Sequence, residues 1–363
     1  MANQALEDAR ERAAKVLNVP PKCLFFTSGG TESNSIALFS NLTRPGSGRV
    51  ISSMGEHASI REGMQTLSKM GKPVGSIAID RAGMVTAETL DSALSRYSDA
   101  RFAVIMSVNN ETGAVTDIAS LKEIFKKRTT NAPARFHCDL AQAVGKIPVD
   151  ITGWEIDSAS VCAHKISGPR GIGLLYLRKP IEIFYAGGGQ ERGVRGGTEN
   201  VQGAVELADC LEAAVIGAVQ REEAQNEEPA EINYSSRPGV DEEYKRAMTR
   251  WNKLITELLA MERCALIPDT RTAGDSRFSP YILQAAFKGI PGEVMARALD
   301  DLGIAVSTGS ACSSSSPERP VLAAMGISEN LRIEGIRISQ GWSTTEEDID
   351  FLLNGIAEVL KFL

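Results

Sequence analysis

Two hydrophobic periods alternate along the first two hundred residues. Short apolar runs at 23–27 (CLFFT), 49–53 (RVISS), 76–80 (SIAID), 102–108 (FAVIMSV), 135–139 (RFHCD), 158–162 (SASVC) and 173–177 (GLLYL) read as strands. Between them lie stretches such as ESNSIALFSNL, SIREGMQTLSKM and IASLKEIFKKR, whose apolar residues recur at helical spacing. Strands alternating with helices predict βαβ units and an α/β fold built on a mostly parallel sheet covered on both faces. In such sheets ligands sit at the carboxyl ends of the strands, so the residues just after each apolar run draw attention first.

Beyond residue 199 the pattern changes. ENVQGAVELADCLEAAVIGAV predicts a long helix over 199–219. Residues 221–243 follow with eight Asp and Glu, two Arg and two Pro, and read as an exposed, mobile acidic insertion. The remainder predicts a helix from KRAMTRWNKLITELLAM, a strand near 280–287 and a helix near 292–302. A short strand IAVST, a Ser-rich loop, a strand around GIRIS and a closing helix at 345–362 complete it. The expected division is a large domain over 1–217 and a smaller C-terminal α/β domain over 218–363.

Composition narrows the classes. The net charge is −7, of which 221–243 alone carries −6, so the rest of the chain is near neutral and offers no broad basic face for nucleic acid. No apolar run reaches the roughly 18–20 residues a bilayer span needs, and MANQALEDARERAAKVL is polar and amphipathic, without the apolar centre of a signal peptide. The six cysteines, at 23, 138, 162, 210, 264 and 312, form no zinc-type spacing. They are too sparse to staple a chain of this size, so the expected compartment is the reducing cytoplasm.

Three constellations carry candidate chemistry. SGGTES at 28–33 joins a strand to a helix, where Gly30 and Thr31 with the helix N-terminus can cup a phosphate; a plain N-capped turn reads equally well. Asp139 ends one strand and Lys165 follows another within AHKISGPRGIG. An acid to hold a pyridinium, a lysine for a Schiff base and a phosphate cup are together what pyridoxal 5′-phosphate requires. All three histidines fall beside this set: His57 opens a helix, His164 precedes Lys165, and His137 shares a strand face with Asp139 in either a supporting or a plain core role. Cys312 lies in the polar run STGSACSSSSPE, as a nucleophile or an incidental loop thiol, and Arg337 in GIRIS suits a substrate carboxylate.

SGGTES, GEHAS, NNETG, HCDLAQ, AHKISGPRGIG, GGGQERGVRGGTEN, STGSACS and IRISQG, in this order and spacing, resemble the cysteine desulfurases of the NifS/IscS type. These are class V aminotransferase relatives with the type I fold of pyridoxal-phosphate enzymes. The resemblance spans nearly the whole chain apart from 221–243, and the longer motifs point away from the SufS-type and selenocysteine-lyase branch.

It implies that Lys165 carries the cofactor, Asp139 pairs with its ring nitrogen, Gln142 bonds its phenolic oxygen, and His57 stacks on the ring and helps move protons. Gly30, Thr31, His164 and the residue at Cys162 would hold the phosphate, with Thr198 reaching in from the second subunit of a homodimer. Asn110 and Arg337 would hold the substrate carboxylate, Asn110 also touching the ring oxygen. Cys312 would take sulfur from L-cysteine as a persulfide, leaving alanine, for an acceptor such as an iron–sulfur scaffold protein.

Three departures stand out. Cys162 occupies a place where the family usually carries Ser. A stretch of roughly fifty residues that opens the family pattern, including an Asp-Asn-x-Ala-Thr segment, has no counterpart here. The acidic segment is longer, and the tail that often meets scaffold proteins shorter, than the pattern leads one to expect. Competing readings are a selenocysteine lyase or other pyridoxal-phosphate lyase or aminotransferase, and a non-catalytic assembly subunit of the same fold.

Overall fold

The computed structural model describes residues 1–44, 46, 48–217, 237–309 and 319–363. The first strands and helices are α1 (Ala2–Val16), β1 (Leu24–Thr27), α2 (Gly30–Thr43), β2 (Arg49–Ser53), α3 (Ala58–Lys69) and β3 (Val74–Ile77). Then come α4 (Ala87–Arg96), β4 (Ala100–Val104), α5 (Ile118–Arg128), β5 (Arg135–Asp139), β6 (Ser158–Cys162), β7 (Gly173–Leu177) and α6 (Val201–Val215). Seven strands form one sheet in the order β1-β7-β6-β5-β4-β2-β3. Neighbours from β3 through β6 pair in parallel, whereas β7 runs antiparallel to both β6 and β1.

The strands are buried along nearly their whole length because helices cover both faces, which is why they read as continuous apolar runs. One layer of core packs α1, α4, α5 and α6 against the sheet through Leu6, Leu90, Phe125 and Leu207. The other lies under α2 and α3, with Leu38, Ile60 and Leu67 against Phe25, Val50 and Phe102.

The second part contains α7 (Val240–Ala260), β8 (Cys264–Ile267), β9 (Ile282–Phe287), α8 (Gly292–Asp300), α9 (Pro320–Ala324), α10 (Glu329–Glu334), β10 (Gly335–Ser339) and α11 (Glu346–Phe362). Its three strands form an antiparallel sheet, β10-β9-β8, around a core of its own with Trp251, Leu254, Phe287 and Ile356. The α/β expectation, with a mostly parallel sheet and a smaller C-terminal unit, matches what is found.

Four details differ from the sequence reading. The third strand ends at Ile77 rather than 80, because Asp80 turns the chain: its Oδ1 accepts from the backbone N–H groups of Ala82 and Met84. IAVST forms only an isolated bridge, Ser307 to Arg337, and no strand. Cys264–Ile267, too short to stand out beside the preceding helix, is a strand. The acidic insertion ends earlier than 243: Val240–Glu243 is the first turn of α7, where Asp241, Glu242 and Glu243 face a helix N-terminus that favours negative charge. Glu243 is buried and accepts from Arg250 Nη2 at 2.6 Å. Residues 221–236 of that segment lie outside the described residues.

No described helix is long and apolar enough to cross a membrane.

Candidate active site

The carboxyl ends of β1, β2, β4, β5 and β6 open onto one edge of the sheet, and most of the residues singled out above lie there. The chain leaves β1 through Ser28 and Gly29 into α2. Gly29 has φ 146° and ψ −177°, a conformation side chains rarely adopt, and a Cβ on Gly173 of β7 would come within 2.7 Å of its Cα. Gly29 is therefore dictated by its backbone angle and Gly173 by close backbone approach. The first turn of α2 has no side-chain cap, so the Gly30 end of the helix keeps amide donors for an anion. Thr31 is exposed at this turn. Cys162 flanks it: a Cβ on Gly30 would lie 3.8 Å from the Cys162 Cβ and 4.0 Å from its Sγ. Burial and the nearby Asp139 push the Cys162 thiol up to about 11, against Lys165 and Lys146, so it stays protonated at neutral pH.

Asp139 is 6% exposed. Its Oδ1 accepts the Ala141 N–H at 2.9 Å and its Oδ2 accepts Asn34 Nδ2 at 2.8 Å. No cation forms an ion pair with it among the described residues. A buried carboxylate held only by neutral donors is suited to a cationic ring nitrogen, since a charge buried without its counter-charge is costly.

His57 caps α3. Its Nδ1 accepts the Ser59 N–H at 3.1 Å and lies 2.9 Å from Ser59 Oγ, and burial lowers its pKa, opposed by Asp139. Because Nδ1 accepts, the neutral ring carries its proton on Nε2. His164 and Lys165 stand exposed in a short 3-10 turn, Ala163–Lys165, directly after β6. Burial lowers the His164 pKa, helped by Lys165.

Gln142 is buried, and its Oε1 accepts from Lys146 Nζ at 2.6 Å. That leaves the amide NH2 as the end free to donate. Lys146, on the turn after β5, was missed in the sequence. Its side chain is half-buried, and burial together with the Lys165 charge pushes it down to about 7.

Asn110 and Arg337 meet where the two sheets approach each other. Arg337 Nη1 donates to the Asn110 carbonyl at 3.1 Å, while Arg337 Nε and Asn110 Oδ1 are buried with no partner among the described residues. Two unpaired groups, one donor and one acceptor, are what an amino-acid headgroup with a carboxylate would satisfy. Glu111 lies beside them; burial raises its pKa, opposed by Arg319 and Arg337.

The loop that carries Asn110 is fastened by Arg271, also missed in the sequence. Its Nη1 donates to the Thr112 carbonyl at 2.9 Å and the Ile282 carbonyl at 2.8 Å, and its Nη2 to the Ser279 carbonyl at 3.1 Å.

Thr198 is an expected site residue that does not stand at a strand end. It is exposed on the loop before α6, its carbonyl accepts Arg195 Nη1 at 3.2 Å, and its hydroxyl makes no hydrogen bond among the described residues. Cys312 lies outside the described residues, between Gly309 and Arg319.

His137 lies at the bottom of the site, fully buried, with burial pushing it down to about 3. The folded ring refuses a proton that the unfolded chain takes up near pH 6.5. Its contribution is therefore complete above pH 6.5 and is lost as the pH falls towards 3, at ~1.4 kcal/mol per unit. Urea unfolding at pH 7 and pH 5 is expected to show ~2 kcal/mol of acid destabilisation that the His137→Gln protein lacks. Equal pH dependence in both proteins would show that His137 titrates normally.

Residues 1–352 match the family model described as aminotransferase class-V. A cysteine desulfurase IscS from Vibrio vulnificus is 33% identical over 369 residues, covering 100% of this chain and 83% of that protein. The human cysteine desulfurase is 32% identical over 367 residues, covering 99% of this chain and 73% of its own. Among solved structures, one described as a NifS-like protein superposes with a TM-score of 0.84 at 33% identity, covering 100% of this chain and 89% of the other. With its fold, its strand-end residues and these relatives in agreement, the chain belongs to the aminotransferase class-V family, among the cysteine desulfurases.

Proposed function

We propose that this protein is a pyridoxal-phosphate-dependent cysteine desulfurase that converts L-cysteine to L-alanine and takes the sulfur onto Cys312. The observation that carries the reading is the buried Asp139 carboxylate, held by Asn34 and the Ala141 amide with no cationic partner among the described residues, and bonded to the same helix, α2, whose N-terminus is uncapped. A planar cation with an anionic tail would satisfy both the carboxylate and the helix N-terminus. Pyridoxal phosphate, when bound, supplies an electron sink that makes the bonds at the substrate α-carbon labile.

The chain's own residues divide the remaining work. Asp139 would pair with the ring nitrogen, and His57 would stack against the ring. Gln142, oriented by Lys146, donates to the phenolic oxygen. Gly30, Thr31, Cys162 and His164 hold the phosphate, with Thr198 reaching the site of a second subunit. A thiol is a weaker donor than the family's hydroxyl, so the backbone amides of α2 carry more of that grip here. Asn110 and Arg337 hold the substrate carboxylate and fix which bond faces Lys165, the residue that carries the cofactor and moves the α-proton. The Cys312 thiolate attacks the substrate sulfur. The C–S bond breaks, the sulfur stays on Cys312 as a persulfide, and the carbon takes up a proton to leave as the methyl group of alanine.

The remaining expectations belong to the same proposal. Residues 1–217 form the cofactor domain and 218–363 the small one. The active form is a cytoplasmic homodimer: Phe184 at 48% exposure and Tyr185 at 82% lie on the loop that carries Thr198, an apolar surface a second subunit would cover. The sulfur passes to an acceptor protein of iron–sulfur or thio-cofactor synthesis.

The experiment is direct. Incubated with pyridoxal phosphate and L-cysteine, the protein is expected to release alanine, and intact-mass analysis of the Cys312 peptide should show one added sulfur. Alanine release with no sulfur on Cys312, or no alanine at all, would overturn the assignment.

A further inference from the structure

The Asp139 carboxylate and the His57 ring are joined by a continuous chain of hydrogen bonds, and Asn34, in the second turn of α2, is its centre. Asn34 is 1% exposed. Its Nδ2 lies 2.8 Å from Asp139 Oδ2 and 2.9 Å from Ser59 Oγ, and its Oδ1 lies 2.9 Å from His137 Nε2. The orientation of the amide follows from chemistry, because turning it over would set its oxygen against a carboxylate oxygen. His137 reinforces it. Neutral through burial, the ring carries one proton; facing Asn34 Oδ1 that proton lies on Nε2, and Nδ1 then accepts from the Ser158 hydroxyl at 2.8 Å. Ser160 Oγ is 3.2 Å from the same nitrogen. All three polar functions of Asn34 are thus committed: one N–H to Asp139, one N–H to Ser59, and the oxygen to His137.

The Ser59 branch reaches His57. Ser59 Oγ accepts from Asn34 Nδ2, so its own proton is available to His57 Nδ1 at 2.9 Å, alongside the Ser59 backbone N–H at 3.1 Å. Nδ1 becomes an acceptor twice over, and Nε2 carries the ring proton. Asp139 ends β5 and His57 opens α3, so only a side chain from a third element can tie the two together. Asn34 does so from α2, whose first turn is the proposed phosphate cup.

We infer that Asn34 is the positioning residue of this site, holding Asp139 towards the cofactor's ring nitrogen and, through Ser59, His57 over the ring as the Nε2–H tautomer. The inference rests on the pyridoxal-phosphate reading above and extends it to residues with no direct contact to the cofactor.

The test compares Asn34→Asp, Ser59→Ala and Ser59→Thr with the unaltered protein. Asn34→Asp keeps the shape but replaces a neutral N–H donor with a second carboxyl, which can meet Asp139 only by sharing a proton with it. It is expected to raise the dissociation constant for pyridoxal phosphate by ~10–100-fold, shift the visible band of the bound cofactor, and lower kcat by a similar factor while KM for cysteine stays within ~3-fold. Ser59→Ala should lower kcat by ~3–10-fold and weaken the Nδ1 signature of His57 in 15N NMR, and Ser59→Thr should restore both. Asn34→Asp protein that is folded and retains the original affinity, band and kcat would overturn the inference. If that variant does not fold, the Ser59 pair decides: Ser59→Ala with unchanged kcat and His57 signal overturns it, and rescue by Ser59→Thr supports it. Should the unaltered protein itself bind no pyridoxal phosphate, the cofactor reading fails, and this inference with it.

Discussion

Replacing Lys165 with alanine is expected to cut alanine release by ~10²–10⁴-fold, the usual cost of losing a positioned proton carrier, and to end covalent attachment of the cofactor. The variant has a specific competitor to exclude. Lys146, on the turn after β5, is pushed down to about 7 by burial and by the Lys165 charge, so at neutral pH a large share of it is a free amine. On protonation alone Lys146 is a good nucleophile. Geometry argues the other way: its Nζ is committed to Gln142 Oε1 at 2.6 Å, whereas Lys165 stands exposed at the open edge of the sheet with no such bond among the described residues.

The two roles separate cleanly by experiment. Borohydride reduction of the pyridoxal-phosphate complex, followed by peptide mapping, should mark Lys165 in the unaltered protein and in Lys146→Met, and mark nothing in Lys165→Ala. A mark on Lys146 in the Lys165→Ala protein, with turnover retained, would transfer the role. Lys146→Met should instead weaken cofactor binding modestly, because Gln142 loses the partner that orients its amide.

What the sequence made legible follows from where physics acts locally. Buried parallel strands are apolar on both faces, so RVISS, RFHCD, SASVC and GLLYL stand out unaided, and residues such as Asp139 and Lys165 are conspicuous as polar groups at their ends. The slips occur where a local pattern is overruled. IAVST has strand propensity but only one pairing partner, at Arg337. The acidic run looks solvated throughout, yet Glu243 turns inward to Arg250. Asn34, Lys146 and Arg271 were invisible for a different reason. Each is an ordinary polar residue of a helix, turn or loop; Asn34 and Arg271 acquire their roles from partners 105 and 159 residues away, and Lys146, whose hydrogen-bond partner is only 4 residues away, from its burial beside Lys165. A polar residue at a helix position otherwise facing the sheet, as Asn34 is, was the one available signal.

The same reasoning predicts the largest loss of stability at Glu191. This residue lies in the loop before α6 with φ 45°, a left-handed conformation that costs a non-glycine residue energy, and Arg192 follows at φ 55°. Something must hold them there. Arg10 of α1 meets Glu191 with two N–H groups at 2.8 Å each, both side chains 2% exposed or less. The Phe26 N–H donates to Glu191 Oε2 at 2.8 Å, Arg10 Nη1 donates to the Leu24 carbonyl at 2.8 Å, and the Arg10 guanidinium lies 4.9 Å from the centre of the Phe26 ring. One buried ion pair thus fastens the N-terminal helix, the edge strand β1 and the loop that carries Thr198. Glu191→Ala leaves the buried Arg10 with only the half-exposed Glu7, 3.2 Å away, as counter-charge, and should cost ~3 kcal/mol in urea unfolding. Removing both charges at once is a different matter: desolvation offsets much of a buried pair's attraction, so Arg10→Met with Glu191→Leu should recover most of that loss. The double-variant protein remains missing the Phe26 acceptor and the reason for the strained loop, so it should be stable while Thr198 is less precisely held. A loss below ~0.5 kcal/mol for Glu191→Ala, typical of an exposed pair, would show that this ion pair is no anchor.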